Sequence, residues 1–123
     1  MREFLAIMKA LADPNRLRVV VALRERELCL CQIVELLRLA NSTVSRHMSI
    51  LQQARLVDAR KDGRWNYFRL SETTDRPEAA EAAALVIQSL GHDSQIRDDA
   101  KRLKQILKMD PETLCRKQCG DRC

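Results

Sequence analysis

The sequence predicts a mainly α-helical α+β fold, five to seven helices with a single β-hairpin set among them. Three observations carry this. Apolar residues recur at helical spacing through most of the 123 residues. The run from Leu56 to Leu70 instead centres on Asp62-Gly63, a strong two-residue turn signal between strand-forming residues. Hydrophobic residues make up 46% of the chain but aromatics only 3%, so the core must come from Leu, Val, Ile and Ala, which suits packed helices and not a β-sandwich. A chain of this length supports one compact domain and hardly two.

Each element has a local cause. Phe4, Leu5, Met8 and Leu11 repeat at helical spacing and predict a first helix. Asp13-Pro14 is a start signal, Asp as N-cap and Pro at the first helical position, for a second helix carrying Leu17, Val20 and Val21. A short third helix is expected from about Cys31 to Leu37, then a turn at Arg38-Leu39-Ala40, then a fourth helix capped by Asn41 and running to about Gln53. Two helices joined by so short a turn make a helix-turn-helix. Leu56 to Arg60 and Trp65 to Leu70 form the hairpin that follows it directly, as a wing does. Pro77 opens a helix ending at Gly91, with Ala79, Ala83, Val86, Ile87 and Leu90 on one side. Asp93 or Ser94 caps the next, with Ile96, Ala100, Leu103 and Leu107 inward. Asp110-Pro111-Glu112 starts a last short helix that Gly120 should stop. The expected organisation is a winged helix-turn-helix domain over 1–110 and a cysteine-containing tail over 111–123.

Charge locates the partner. The 22 Lys and Arg exceed the 17 Asp and Glu by five. Seven Arg or Lys and two Asp stand between Arg38 and Arg69, so that one segment carries the whole imbalance, as a nucleic-acid footprint would. The fourth helix sorts its faces cleanly. Val44, Met48 and Leu51 share one side, and Ser42, Ser45, Arg46, Ser49 and Gln53 the other. Small hydroxyls permit close approach to a duplex, and Arg46 can reach a guanine edge or a phosphate. Asn41, Ser42, Thr43, Ser45, Arg46 and Ser49 are therefore the candidate base- and backbone-contacting residues. Arg60, Lys61 and Arg64 flank the hairpin turn and can meet phosphates or the minor groove. Trp65 and Tyr67 are expected to hold the hairpin to the domain, and His47 to be partly buried and bonded to backbone.

No stretch approaches the ~20 apolar residues that span a bilayer, and Met1 to Phe4 run straight into a helical pattern, so neither a membrane nor a signal peptide is expected. The five cysteines then read as reduced thiols of a cytoplasmic protein, engaged in metal or redox chemistry. No nucleophile-base-acid set, phosphate-binding glycine loop or paired carboxylates point to an enzyme or an organic cofactor.

Leu11 to Leu17, Glu27-Leu28-Cys29-Leu30-Cys31, Ser42 to Met48 and Gly63 to Leu70, in this order, together resemble the ArsR/SmtB family of metal-responsive repressors. The likeness covers about residues 3 to 90. It implies a winged-helix homodimer joined through its first and late helices, which binds operator DNA when metal-free and dissociates on metal capture. Glu-Leu-Cys-x-Cys resembles the arsenic- and antimony-sensing members and also the cadmium- and lead-sensing ones. The chain departs from both, with Val34 where some arsenic sensors carry a third cysteine and no cysteines ahead of Cys29 as the cadmium and lead sensors have. The late helices hold only His92, so the zinc site of other members is missing.

Cys29 and Cys31 start the third helix, where the helix dipole favours thiolates, and soft thiolates favour soft ions. Residues two apart on a regular helix point about 200° apart, so joint capture of one ion requires the helix start to change shape. Cys115, Cys119 and Cys123 fall along one helical face, neighbours ~6 Å apart and the end pair ~12 Å. Gly120 can let the tail fold back. Three sulfurs suit pyramidal As(III) or Sb(III), while tetrahedral zinc wants a fourth ligand. The tail either completes the Cys29/Cys31 site or forms its own. Two alternatives stand beside an arsenic-responsive repressor: a cadmium/lead- or thiol-redox-responsive repressor of the same fold, and a thiol-rich metal-binding adaptor that needs no DNA.

Overall fold

The computed structural model describes residues 1–72 and 76–119. In chain order the elements are α1 (Arg2–Leu11), α2 (Pro14–Ala22), β1 (Leu28–Cys29), α3 (Leu30–Leu37), α4 (Asn41–Gln53), β2 (Val57–Asp62), β3 (Trp65–Leu70), α5 (Pro77–Leu90), α6 (Ser94–Ile106) and α7 (Pro111–Cys119). The expected fold class holds, with a wing behind a helix-turn-helix. No helix among the described residues is long and apolar enough to cross a membrane.

Local chemistry sets the boundaries. Asp13 is extended and accepts from the N–H groups of Asn15 (2.8 Å) and Arg16 (3.2 Å), with Pro14 at the first helical position of α2. Arg38 ends α3 in the left-handed region at φ 55°, its N–H donating to the Val34 carbonyl. The cap of α4 is Ala40, not Asn41: Ala40 is extended, its carbonyl takes the Val44 N–H at 3.0 Å, and Asn41 is already helical. The wing turn is also shifted by one residue. Asp62 pairs with Trp65, so the two loop residues are Gly63 and Arg64. Gly63 alone of these has a positive φ (61°), which is the type II′ arrangement with Gly first.

The sheet has three antiparallel strands in the order β1-β3-β2. Strand β1 is only two residues, pairing Leu28 with Phe68 and Cys29 with Tyr67. It anchors the wing to the entry of α3. The core runs through Ile7 of α1, Val19, Val20 and Leu23, Ile33 and Leu36 of α3, Val44, Met48 and Leu51 of α4, and Phe68 of β3. Burial of such side chains stabilises by about 1.5–3 kcal/mol each.

Helix α6 presents a different face from the expected one. Ile96, Asp99, Leu103 and Ile106 point inward, and Ala100 and Leu107 are exposed. The reason is an acid in the stripe: Asp99 accepts from Arg18 Nε (2.8 Å) and Arg18 Nη2 (2.9 Å), and from Gln95 (3.0 Å). A buried carboxylate is tolerated because its oxygens are bonded. Arg102 of the same helix donates to the carbonyls of Glu35 (2.7 Å) and Leu36 (2.6 Å), the orphan end of α3. Several large apolar side chains face out, among them Phe4, Leu5 and Met8 on α1, Leu85 on α5, and Leu107 and Met109 after α6.

Candidate nucleic-acid interface and thiol site

Helix α4 buries Val44, Met48 and Leu51 and exposes Ser42, Thr43, Ser45, Arg46 and Ser49, with Asn41 half-buried at its start. His47 is half-buried as expected, but its partner is a side chain. Arg16 Nη1 lies 3.0 Å from His47 Nδ1, and since a guanidinium only donates, Nδ1 accepts. Arg16 also donates from Nε to the Ala10 carbonyl (2.6 Å), which ties α1, α2 and α4 together behind the exposed face.

The wing carries its cations unequally. Arg60 makes a two-point bond with Glu27 (2.6 and 2.8 Å) and lies over the Tyr67 ring at 4.4 Å. That bond holds the Glu27 carboxyl below the ordinary carboxylate range, against a smaller opposing effect of burial. Arg60 thus clamps the wing to the segment before β1. Arg64, at the wing tip, lies over Trp65 at 5.1 Å and bonds Glu112 of α7 at 3.0 Å. Lys61 is exposed on the same strand edge. The sequence reading missed both acids, because the only local hint is their position next to cysteine motifs.

Between α3, α4, the wing and α7 lies a cleft of about 1040 Å³. Asn41, Ser42 and Ser45 line it from α4, Lys61 and Arg64 from the wing, Cys31 from α3 and Cys115 from α7. Residues 84 positions apart in sequence thus share one cavity wall, and α7 gets there by docking on α3. Leu114 is fully buried, Gln118 Nε2 donates to the Cys31 carbonyl at 2.8 Å, and Lys117 lies 3.6 Å from Glu35.

The cysteines are not equivalent. Cys29 is extended (φ −82°, ψ 161°) at the end of β1, buried in the core, and acts as the N-cap of α3. Its N–H donates to Gln32 Oε1 at 2.9 Å, and the Gln32 N–H faces its sulfur in return. Burial pushes the Cys29 thiol up from its ordinary value; the N–H groups of Gln32, Cys31 and Cys29 itself pull the other way and lose. The expectation that the helix start primes both thiols therefore fails for Cys29, since desolvation outweighs the dipole. Cys29 and Cys31 are outside any disulfide, whereas Cys115 is in one. The side chain of Cys119, Gly120 and Cys123 lie outside the described residues. Among the described residues no three His, Cys, Asp or Glu side chains converge on a point where an ion could sit.

The profile of the bacterial regulatory protein, arsR family, matches residues 13–59, the span from the α2 cap into the wing. An uncharacterized HTH-type transcriptional regulator, MJ1325, of Methanocaldococcus jannaschii is 41% identical over 63 residues, 50% of this chain and 71% of that one. The arsenic resistance transcriptional regulator ArsR1 of Pseudomonas putida is 39% identical over 74 residues, 57% of this chain and 58% of that one. The cadmium resistance transcriptional regulatory protein CadC of Lactococcus lactis is 41% identical over 61 residues, 49% of this chain and 51% of that one. For the last two, the match spans only a little over half of the relative's length. Among solved structures, HlyU from Vibrio cholerae superposes with a TM-score of 0.61 at 26% identity, covering 73% of this chain and 90% of that one. The matched span runs from α2 through the helix-turn-helix to the first wing strand, the relatives are transcriptional regulators and not enzymes, and the chain belongs to the arsR family of bacterial regulatory proteins.

Proposed function

We propose that this chain is a cytoplasmic transcriptional repressor that binds operator DNA as a homodimer and dissociates when its thiolates capture As(III) or Sb(III), with Cd(II) and Pb(II) as the alternative ions. The observation that carries it is the shared cleft: Cys31 and Cys115 line the same cavity as Asn41, Ser42 and Ser45 of the exposed α4 face. Thiol chemistry there acts within contact range of the surface that meets DNA. The exposed face of α4 enters the major groove, with Arg46 for a guanine edge or phosphate. Lys61 and Arg64 follow the backbone, and Arg60 shapes the wing through Glu27. Phe4, Leu5, Met8 and Leu85 form an apolar face that a second copy covers, from the first and a late helix as the family likeness implies.

The ion follows from the donors. Sulfur excludes hard cations, and a site of two or three thiolates suits a three-coordinate metalloid. Cys31, the tail thiols Cys115, Cys119 and Cys123 in their reduced form, and Cys29 after release from its cap are the ligand pool. The names of the relatives ArsR1 and CadC support arsenic and cadmium respectively. Under this reading 1–110 is the DNA-binding and dimerisation unit and 111–123 the tail that brings further sulfur.

The test is fluorescence anisotropy of a labelled duplex from upstream of its own gene, under full reduction, titrated with arsenite, antimonite, cadmium, lead and zinc. Apo-protein should bind, arsenite and antimonite should release it, and Cys31→Ser should abolish release. Binding to no upstream fragment at low salt overturns the DNA reading and favours a thiol-rich adaptor. A second reading has its own observation: the Cys115 disulfide favours a repressor that responds to oxidation of its thiols. Release by arsenite with reductant in excess counts against it.

A further inference from the structure

We propose that α7 is an autoinhibitory strap: docked across the cleft, it competes with DNA for the wing tip and the start of α4, so operator binding requires it to lift. The inference rests on the DNA-binding reading above and concerns its regulation. Three observations meet here. Glu112 of α7 bonds Arg64 at 3.0 Å, so the wing-tip cation placed to meet a phosphate is held by a carboxylate of the same chain. Glu112 also takes Arg116 at 3.0 Å on the same oxygen, which keeps its charge fixed at that spot. The cleft into which a duplex must settle has Cys115 and Gln118 of α7 along one wall and Asn41, Ser42 and Ser45 along another. A carboxylate in that place repels the phosphate that Arg64 would otherwise attract.

The strap is held by few contacts, and most are on its surface. Among its described side chains Leu114 and Cys115 are the buried ones. Beyond them stand Gln118 on the Cys31 carbonyl at 2.8 Å, Lys117 near Glu35 at 3.6 Å, and the Glu112–Arg64 pair. Exposed ion pairs of this kind contribute little, and salt weakens them further. The lifting cost is therefore within what a set of new phosphate contacts supplies. The same position explains why an effector on Cys31 need not deform α3 to reach DNA. One As(III) ion bound by Cys31 and a reduced thiol of α7, each giving up its proton, holds the strap closed with no change of oxidation state.

Operator affinity and its salt dependence test this in the full-length reduced chain, using the upstream duplex as probe. Glu112→Gln frees Arg64 and should tighten binding about two- to five-fold. It should also steepen the plot of log K against log salt by roughly 0.9, the signature of one added phosphate contact. Both gains must vanish in an Arg64→Ala background, since a general loss of negative charge would persist there. Leu114→Asp undocks α7 and should tighten binding by about five-fold or more, with faster alkylation of Cys31 as evidence of undocking. If Leu114→Asp does not fold, Gln118→Ala removes only the bond to Cys31 and should shift affinity the same way by less. A wild type that binds no operator overturns the parent reading and the strap with it. A wild type that binds and responds to arsenite, with Glu112→Gln equal to it in affinity and salt slope, overturns the strap alone.

Discussion

Replacing Asp99 by alanine removes the one buried carboxylate among the described residues and leaves Arg18 facing a gap. Their side chains are 6% and 16% exposed. Two charge-assisted bonds at 2.8 and 2.9 Å are lost, each of about 1.5–3 kcal/mol by general experience. Arg18 keeps Asn15 Oδ1 at 3.2 Å and the Leu36 carbonyl at 3.4 Å, and it retains some water, so the cost falls at the lower end. The expected loss is about 3 kcal/mol, which for a chain of this size is roughly 10 °C in Tm. Urea unfolding at fixed protein concentration measures it, since assembly of copies makes apparent stability concentration-dependent. The joint variant Arg18→Met/Asp99→Leu leaves no buried charge unpaired and should return to within about 1 kcal/mol of wild type. A loss under about 0.5 kcal/mol for Asp99→Ala would refute the reasoning. It would mean that Ile96, Leu103 and Ile106 alone hold α6 in place and that the pair behaves as a surface pair.

Three further outcomes follow from the same geometry. The Arg60 bond holds the Glu27 carboxyl below 4.5, so its stabilisation of the wing is present above that pH and lost as pH falls through the lowered value. A carboxyl-carbon NMR titration should show this, and Arg60→Gln should restore a midpoint near 4.5. Burial raises the Cys29 thiol above 9.0, so the neutral thiol is favoured below that pH and Cys29 should alkylate far more slowly than an unfolded control. An alkylation midpoint below 9.0 would show that the helix start wins over burial. Gly63→Ala puts a side chain at φ +61° in open space, so only backbone strain opposes it. The expected cost is about 1 kcal/mol, read as faster hydrogen exchange in β2 and β3, while Gly63→Asn should cost less.

What the sequence revealed was what neighbouring residues decide. Asp13-Pro14, the face sorting of α4 and the glycine turn each act within a few residues, and each is in place, with the wing turn and the α4 cap displaced by one position. The rest depends on residues that only the fold brings together. Strand β1 is two residues long and has no periodicity to read; it exists because Leu28 and Cys29 meet Phe68 and Tyr67. The α6 face was misjudged because Asp99 belongs to the core only through Arg18, 81 positions away. Cys29 was misjudged because burial, invisible in a local motif, outweighs the helix start. That Cys31 and Cys115 line one cleft depends on α7 docking on α3, which no spacing rule contains.

These long-range contacts also decide which part of the site yields first. Helix α3 is eight residues long, too short to hold by its own hydrogen bonds, and it is clamped at both ends. The Cys29–Gln32 box and the Gln118 bond hold its start, while Arg18 and Arg102 take the carbonyls at its end. Its Ile33, Val34, Leu36 and Leu37 are buried, at about 1.5–3 kcal/mol each. Unwinding its start to let Cys29 and Cys31 share an ion breaks the cap, the pairing of Cys29 with Tyr67 and part of that packing together. Lifting or closing α7 disturbs two buried side chains, Leu114 and Cys115, one part-buried bond and a few surface ion pairs. A thiol signal that arrives at Cys31 thus meets a stiff helix on one side and a loosely held one on the other. The motion takes the softer side, so DNA release in a Cys29→Ser variant, which keeps Cys31 and the tail, should survive arsenite titration. Its loss there would return the mechanism to α3.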